Sequence, residues 1–100
     1  MKVNVQSVNF NADQKLIDFI QVKLDKLEHY YDKIIYADVY LKVQNTSDKV
    51  NKVTEILLSI PGGDVMVKKS CRKFEECVDE CISSLQRQLV KKKEKIKAHV

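Results

Sequence analysis

Leu16, Ile20, Leu24, Leu27, Tyr31 and Ile34 recur at spacings of four, four, three, four and three. At 100° per residue they fall within an arc of roughly 80°, the stripe of a helix lying on a core. The spacing predicts a helix from about 14 to 34. Asp13 or Asn11 stands where a side chain can accept from the free backbone N–H groups of its first turn. A second stripe, Phe74, Val78, Cys81, Ile82, Leu85, Leu89 and Ile96, predicts another long helix over about 72 to 97.

The period changes to two between and before these stretches. Val3 and Val5 alternate with polar residues over 2–8. Ala37, Val39, Leu41 and Val43 share one face of 36–44, and Tyr36, Asp38, Tyr40 and Lys42 the other. A strand over 51–60 places Ile56, Leu58 and Ile60 together, and 65–69 reads as its return. Pro61-Gly62-Gly63-Asp64 is the hairpin between them, and Asn45 to Lys49 is polar and turn-like. The order β-α-β-β-β-α places this chain in the α+β class. The expected architecture is one sandwich, a four-stranded sheet with two helices packed on one face, formed by residues 1–100 as a single domain.

Composition fits such a domain. Of 100 residues, 44% are apolar and 32% charged, which is outside the disordered range. No apolar run approaches the ~20 residues of a membrane span, and MKVNVQSVNF lacks the apolar stretch of a secretory signal. Three cysteines, Cys71, Cys77 and Cys81, lie close together in the second helix or its approach. They are too few for a disulfide scaffold, which argues for a reducing, cytoplasmic setting.

The net charge of +4 conceals a gradient. Residues 1–67 carry eight basic and nine acidic side chains, a net of −1, whereas residues 68–100 carry ten and five, a net of +5. The charges are also sorted by angle. With Leu16 at zero, Lys15, Lys23, Lys26 and Lys33 fall between about −100° and −20° on the first helix, with Phe19 and Tyr30 among them. Asp18, Asp25, Glu28 and Asp32 fall between about 120° and 200°. On the second helix, with Phe74 at zero, Lys73, Arg87, Lys91 and Lys95 fall between about −140° and −60°. Ser84 and Gln88 share that sector, Glu80 interrupts it, and Lys92 stands in line with the apolar stripe.

Segregating lysine on a helix flank gives up i, i+4 ion pairing and adds repulsion. It builds a field suited to a phosphate backbone. The apolar faces are needed to cover the sheet, which leaves none to insert into a membrane surface. Nucleic acid is the better-fitting polyanion, and structured RNA read through its shape and phosphates is the expected form. Phe19 and Tyr30 border the core stripe, so packing accounts for them before base stacking does.

No catalytic constellation stands out. Cys77 and Cys81 are spaced i, i+4, but His29 and His99 lie far from them, so a four-ligand zinc set is not apparent. Cys71 beside Arg72 and Lys73 is the one thiol with cationic neighbours. His29 takes a solvent position on the first helix, and no helix follows the glycine pair as a phosphate loop would require. The expectation is a protein without enzymatic activity, cofactor or metal.

Several segments carry a family resemblance. Lys26-Leu27-Glu28-His29-Tyr30-Tyr31-Asp32-Lys33-Ile34, Val39-Tyr40-Leu41-Lys42-Val43, Ile60-Pro61-Gly62-Gly63 and Arg87-Gln88-Leu89 with Lys91 and Lys95 stand in order. They resemble the signatures of the ribosome hibernation-promoting factors, the family that includes ribosome-associated inhibitor A. The resemblance covers almost the whole chain.

It implies binding to the small ribosomal subunit and the 70S ribosome, in the channel between head and body. There, family members block mRNA and tRNA sites and silence translation in stressed or stationary cells. It also implies contact with 16S ribosomal RNA through Lys23 and Lys26 of the first helix and Arg87, Lys91 and Lys95 of the second. Lys33 and Lys92 complete the candidate set.

One position and one segment depart from the family pattern: Ser84 stands where a lysine is common, and Lys73-Phe74-Glu75 replaces an Asp-Met-Tyr segment. The loop around Thr46 to Val50 is longer by a few residues. The chain resembles the short form, without the C-terminal dimerisation domain. In some bacteria that form pairs ribosomes with help from a second small factor. Nothing in the residues requires more than a monomer. A general double-stranded RNA-binding module is the alternative that the residues leave open.

Overall fold

A computed structural model describes residues 1–44, 47 and 49–98, with side chains as far as Lys92. The elements are β1 (Lys2–Val8), α1 (Gln14–Tyr30), β2 (Tyr36–Val43), β3 (Lys52–Ile60), β4 (Gly63–Cys71) and α2 (Phe74–Ala98). They form a mixed four-stranded sheet in the order β1-β2-β3-β4. β1 runs parallel to β2, as a strand–helix–strand crossover requires, and the other pairs are antiparallel. The α+β architecture with both helices on one face is therefore present.

Register explains why one face is covered. Val3, Ala37, Leu58 and Val65 form a row across all four strands, and Val5, Val39, Ile56 and Val67 form the next. Both rows face the helices. Leu16, Ile20, Leu24 and Leu27 of α1 and Val78, Cys81, Leu85 and Leu89 of α2 join them in a single buried cluster. The alternation along each strand sends Asn4, Tyr40, Glu55 and Lys68 to the opposite, open face.

Asp13 caps α1. Its Oδ1 accepts from the Leu16 N–H at 2.8 Å, with an extended backbone at φ −77° and ψ 165°. The helix ends earlier than its apolar spacing predicts. Tyr31 is already extended at φ −137° and ψ 101°, and its N–H donates to the Leu27 carbonyl at 2.9 Å. Residues 31–35 form a turn that folds Tyr31 and Ile34 back into the core. A buried turn thus continues the helix's apolar spacing without continuing the helix, and Lys33 lies in that turn rather than on a helix flank.

The hairpin is also tighter than expected. Pro61 and Gly62 alone connect β3 to β4, because Ile60 pairs directly with Gly63. Gly62 at φ +87° follows a proline, the residue order of a type II turn. The return strand therefore begins at Gly63 and runs to Cys71, longer at both ends than 65–69, so Cys71 belongs to β4 and not to the helix. The turn expected at Asn45 to Lys49, and the longer loop expected around Thr46 to Val50, fall partly outside the described residues, which omit 45, 46 and 48.

Replacing Leu24, which is fully buried, with alanine is expected to cost about 3 kcal/mol. Replacing the capping Asp13 with alanine is expected to cost about 1 kcal/mol, and Asp13→Ser to restore most of it. Urea denaturation of the three variants against the parent protein checks both values.

Candidate nucleic-acid interface

The two basic flanks point in different directions. α1 turns Lys23, Lys26 and Tyr30 toward α2, where they line a groove with Asp79, Ile82, Ser83 and Gln86. α2 turns Arg87 and Lys91 away from α1, into a shallow depression shared with Ser84, Gln88 and Val90 and lined by no α1 residue. The reason is angular. Each helix uses its apolar stripe against the sheet, so a flank on the same side of both stripes meets the neighbouring helix in one case and solvent in the other.

The cations differ accordingly. Lys23 forms an ion pair with Asp79 at 3.0 Å, and its ammonium lies 5.3 Å from the centroid of the Phe19 ring. It is half-buried, whereas Lys26, Arg87 and Lys91 are exposed and make no ion pair among the described residues. Lys92 is half-buried, and its Nζ approaches within 3.7 Å of where a Cβ would stand on Gly63, so it lies over the hairpin. Lys33 is exposed in the turn after α1. Lys95 lies within α2, but its side chain is outside the described residues.

Phe19 and Tyr30 pack against the core cluster, in keeping with their place beside the apolar stripe. The departure at Phe74 also has a structural use: its ring stacks on Phe10, centroids 4.8 Å apart, and ties the start of α2 to the loop before α1.

Lys69 joins the site although the helix sectors did not reveal it. It follows Val65 and Val67 at period two, which puts it on the inner face of β4. At that edge strand it emerges beside α2 and lines a cleft with Asp79, Glu80, Ser83 and Arg87. Glu80, the acidic interruption of the α2 flank, has its own partner there. Its carboxylate accepts from the Cys71 thiol at 3.2 Å.

The thiols are packed as core atoms. Cys71, Cys77 and Cys81 are all buried and free. Cys77 donates to the Lys69 carbonyl at 3.3 Å, and Cys81 to the Thr54 carbonyl at 3.7 Å. Burial pushes the Cys81 thiol up to about 12, and burial with hydrogen bonding to Cys77 and Glu80 pushes Cys71 well above the usual thiol range. Both stay protonated near neutral pH, which removes the nucleophilic form. Among the described residues no three His, Cys, Asp or Glu side chains gather as a metal would need. Nor is any helix long and apolar enough to cross a membrane.

The family model for "Sigma 54 modulation protein / S30EA ribosomal protein" matches residues 3–97. The chain belongs to this family. The ribosome hibernation promoting factor of Escherichia coli strain K12 is 32% identical over 99 residues, covering 99% of this chain and 100% of that protein. The protein of the same name from Pseudomonas putida strain KT2440 is 35% identical over 95 residues, covering 95% of this chain and 89% of its own.

Among solved structures, a ribosomal subunit interface protein from Coxiella burnetii superposes with a TM-score of 0.84 at 18% identity, over 94% of this chain and 99% of that one. The N-terminal domain of Thermus thermophilus Protein Y gives 0.75 at 24% identity, over 88% and 94%. At these identities the structural likeness shows the shared fold alone.

The thiol environment sets a pH signature. Cys81 releases its proton at an ordinary thiol pH when unfolded but near 12 when folded. Between those values the folded state binds more protons than the unfolded state, so stability is full below about pH 9 and falls as pH climbs toward 12. Cys81→Ala is expected to flatten that alkaline decline, measured as the urea midpoint from pH 8 to 11. Iodoacetamide is expected to label none of the three thiols at pH 8 until urea unfolds the chain.

Proposed function

We propose that this chain is a ribosome hibernation factor of the cytoplasm. In this reading it acts as one ribosome-binding unit that occupies the decoding channel of the small subunit and excludes mRNA and tRNA during stress or stationary phase. The mechanism is steric and involves no chemistry. Full-length similarity to ribosome hibernation promoting factors carries the reading. Lys26, Arg87 and Lys91, exposed and without an ion pair among the described residues, fit it.

In this reading Lys26, Lys33, Arg87, Lys91 and Lys95 meet phosphates of 16S ribosomal RNA. Lys69 extends the α2 contact onto the sheet edge. Lys23 and Lys92, held by Asp79 and laid over the hairpin, contribute less directly. The free protein is a monomer. A second small factor is the candidate for any pairing of ribosomes.

Phosphate contacts make affinity fall with salt, by roughly 0.7 to 0.9 log-log slope units per contact. Sucrose-gradient co-sedimentation with purified bacterial ribosomes tests the reading. The protein is expected to travel with 30S and 70S particles at low salt, and to be displaced by mRNA with initiator tRNA. The Arg87→Glu/Lys91→Glu double variant is expected to stay at the top of the gradient with unchanged circular dichroism. Retention of that variant on ribosomes would overturn the placement on α2. Equal competition by a free RNA duplex would favour a general duplex-binding module instead.

A further inference from the structure

The groove between α1 and α2 presents donors and one acid. Lys23 and Lys26 enter it from α1, and Ser83 and Gln86 enter from α2. An ammonium, a hydroxyl and an amide are the groups that hold a phosphate oxygen. Asp79 is the one carboxylate among the lining residues, and its Oδ1 sits 3.0 Å from the Lys23 ammonium. Lys23 is therefore already paired with an anion, and its ammonium lies over the Phe19 ring.

We propose that this groove takes a backbone phosphate of RNA on Lys23, Lys26, Ser83 and Gln86, and that Asp79 competes for the place as an internal anion. The proposal rests on the ribosome-binding reading above and adds an affinity-limiting residue to it. A carboxylate and a phosphodiester each carry one negative charge and accept the same charge-assisted hydrogen bonds. Lys23 can face only one of them closely.

Binding then requires the Lys23–Asp79 pair to open, and the pair's energy is subtracted from what the phosphate contact supplies. Both side chains are substantially exposed, at 29% and 55%, so the pair is a weak one that an incoming polyanion can displace. It keeps Lys23 extended across the groove and lowers the field it projects to non-specific polyanions.

The test is a binding cycle with 30S subunits, using fluorescently labelled full-length protein at fixed salt. Asp79→Asn is expected to bind tighter, by up to about fivefold, the range set by an exposed ion pair. Asp25→Asn removes the same charge from the far side of α1 and is expected to give a smaller gain. Lys23→Gln is expected to weaken binding little in the parent protein and several-fold more in the Asp79→Asn background. Lys26→Gln is expected to cost the same in both.

Circular dichroism and thermal unfolding confirm that each variant is folded. An Asp79→Asn gain no larger than the Asp25→Asn gain would overturn the competition and leave the ribosome reading standing. So would an equal cost of Lys23→Gln in both backgrounds. Parent protein that shows no salt-sensitive binding to 30S subunits would overturn both at once.

Discussion

Covering one face of the sheet is the constraint on which the rest of the molecule depends. The rows Val3–Ala37–Leu58–Val65 and Val5–Val39–Ile56–Val67 put apolar side chains on the same side of all four strands. At about 25 cal/mol per Å² of apolar surface, leaving such rows in water would undo a domain of this size. Two helices are laid over them, and each spends its apolar stripe doing so. What remains facing outward on each helix is charge, already sorted into flanks. The candidate interface is in this sense a by-product of coverage: the side of each helix that is not core is the side that can meet a partner.

The same constraint decides which cations stand free. Because α1 and α2 lie side by side on the sheet, one flank of each must face the other. α1 offers lysine to that seam and α2 offers Asp79, Ser83 and Gln86. The seam thereby meets lysine with an acid and neutral polar groups rather than with like charge. α2's own basic flank is left at the outer edge beside β4, where Lys69 extends it onto the sheet. Of the seam lysines only Lys23 is paired across it, while Lys26 and the α2 flank are presented to solvent.

Much of this was legible in the residues. Period two in 36–44 and 51–60, period 3.6 in the two long stretches, and the turn at Pro61-Gly62 produce the element order and the covered face. The misplaced features have identifiable physical reasons. Tyr31 and Ile34 satisfy helical spacing while packing from a turn, so apolar periodicity overran the end of α1 by a full turn and placed Lys33 on a flank it does not share.

Lys69 escaped notice because helix sectors do not include strands. Continuing the inward alternation Val65, Val67 by one more step would have found it. The Lys23–Asp79 pair was not legible at all, since angles within one helix say nothing of the helix beside it. It took the packed arrangement to show that two similar-looking flanks are in different electrostatic situations.

The strand order has a consequence for assembly. β2, β3 and β4 form an antiparallel meander whose members are joined by short connections, the hairpin at Pro61-Gly62 being the shortest. β1 pairs with β2 only across the whole of α1. Loop closure costs more conformational entropy for the longer span, so the meander is favoured to pair first and β1 to close the sheet afterwards. On a translating ribosome the order of emergence is the reverse. The first strand synthesised waits, unpaired, for a neighbour that is made after the intervening helix.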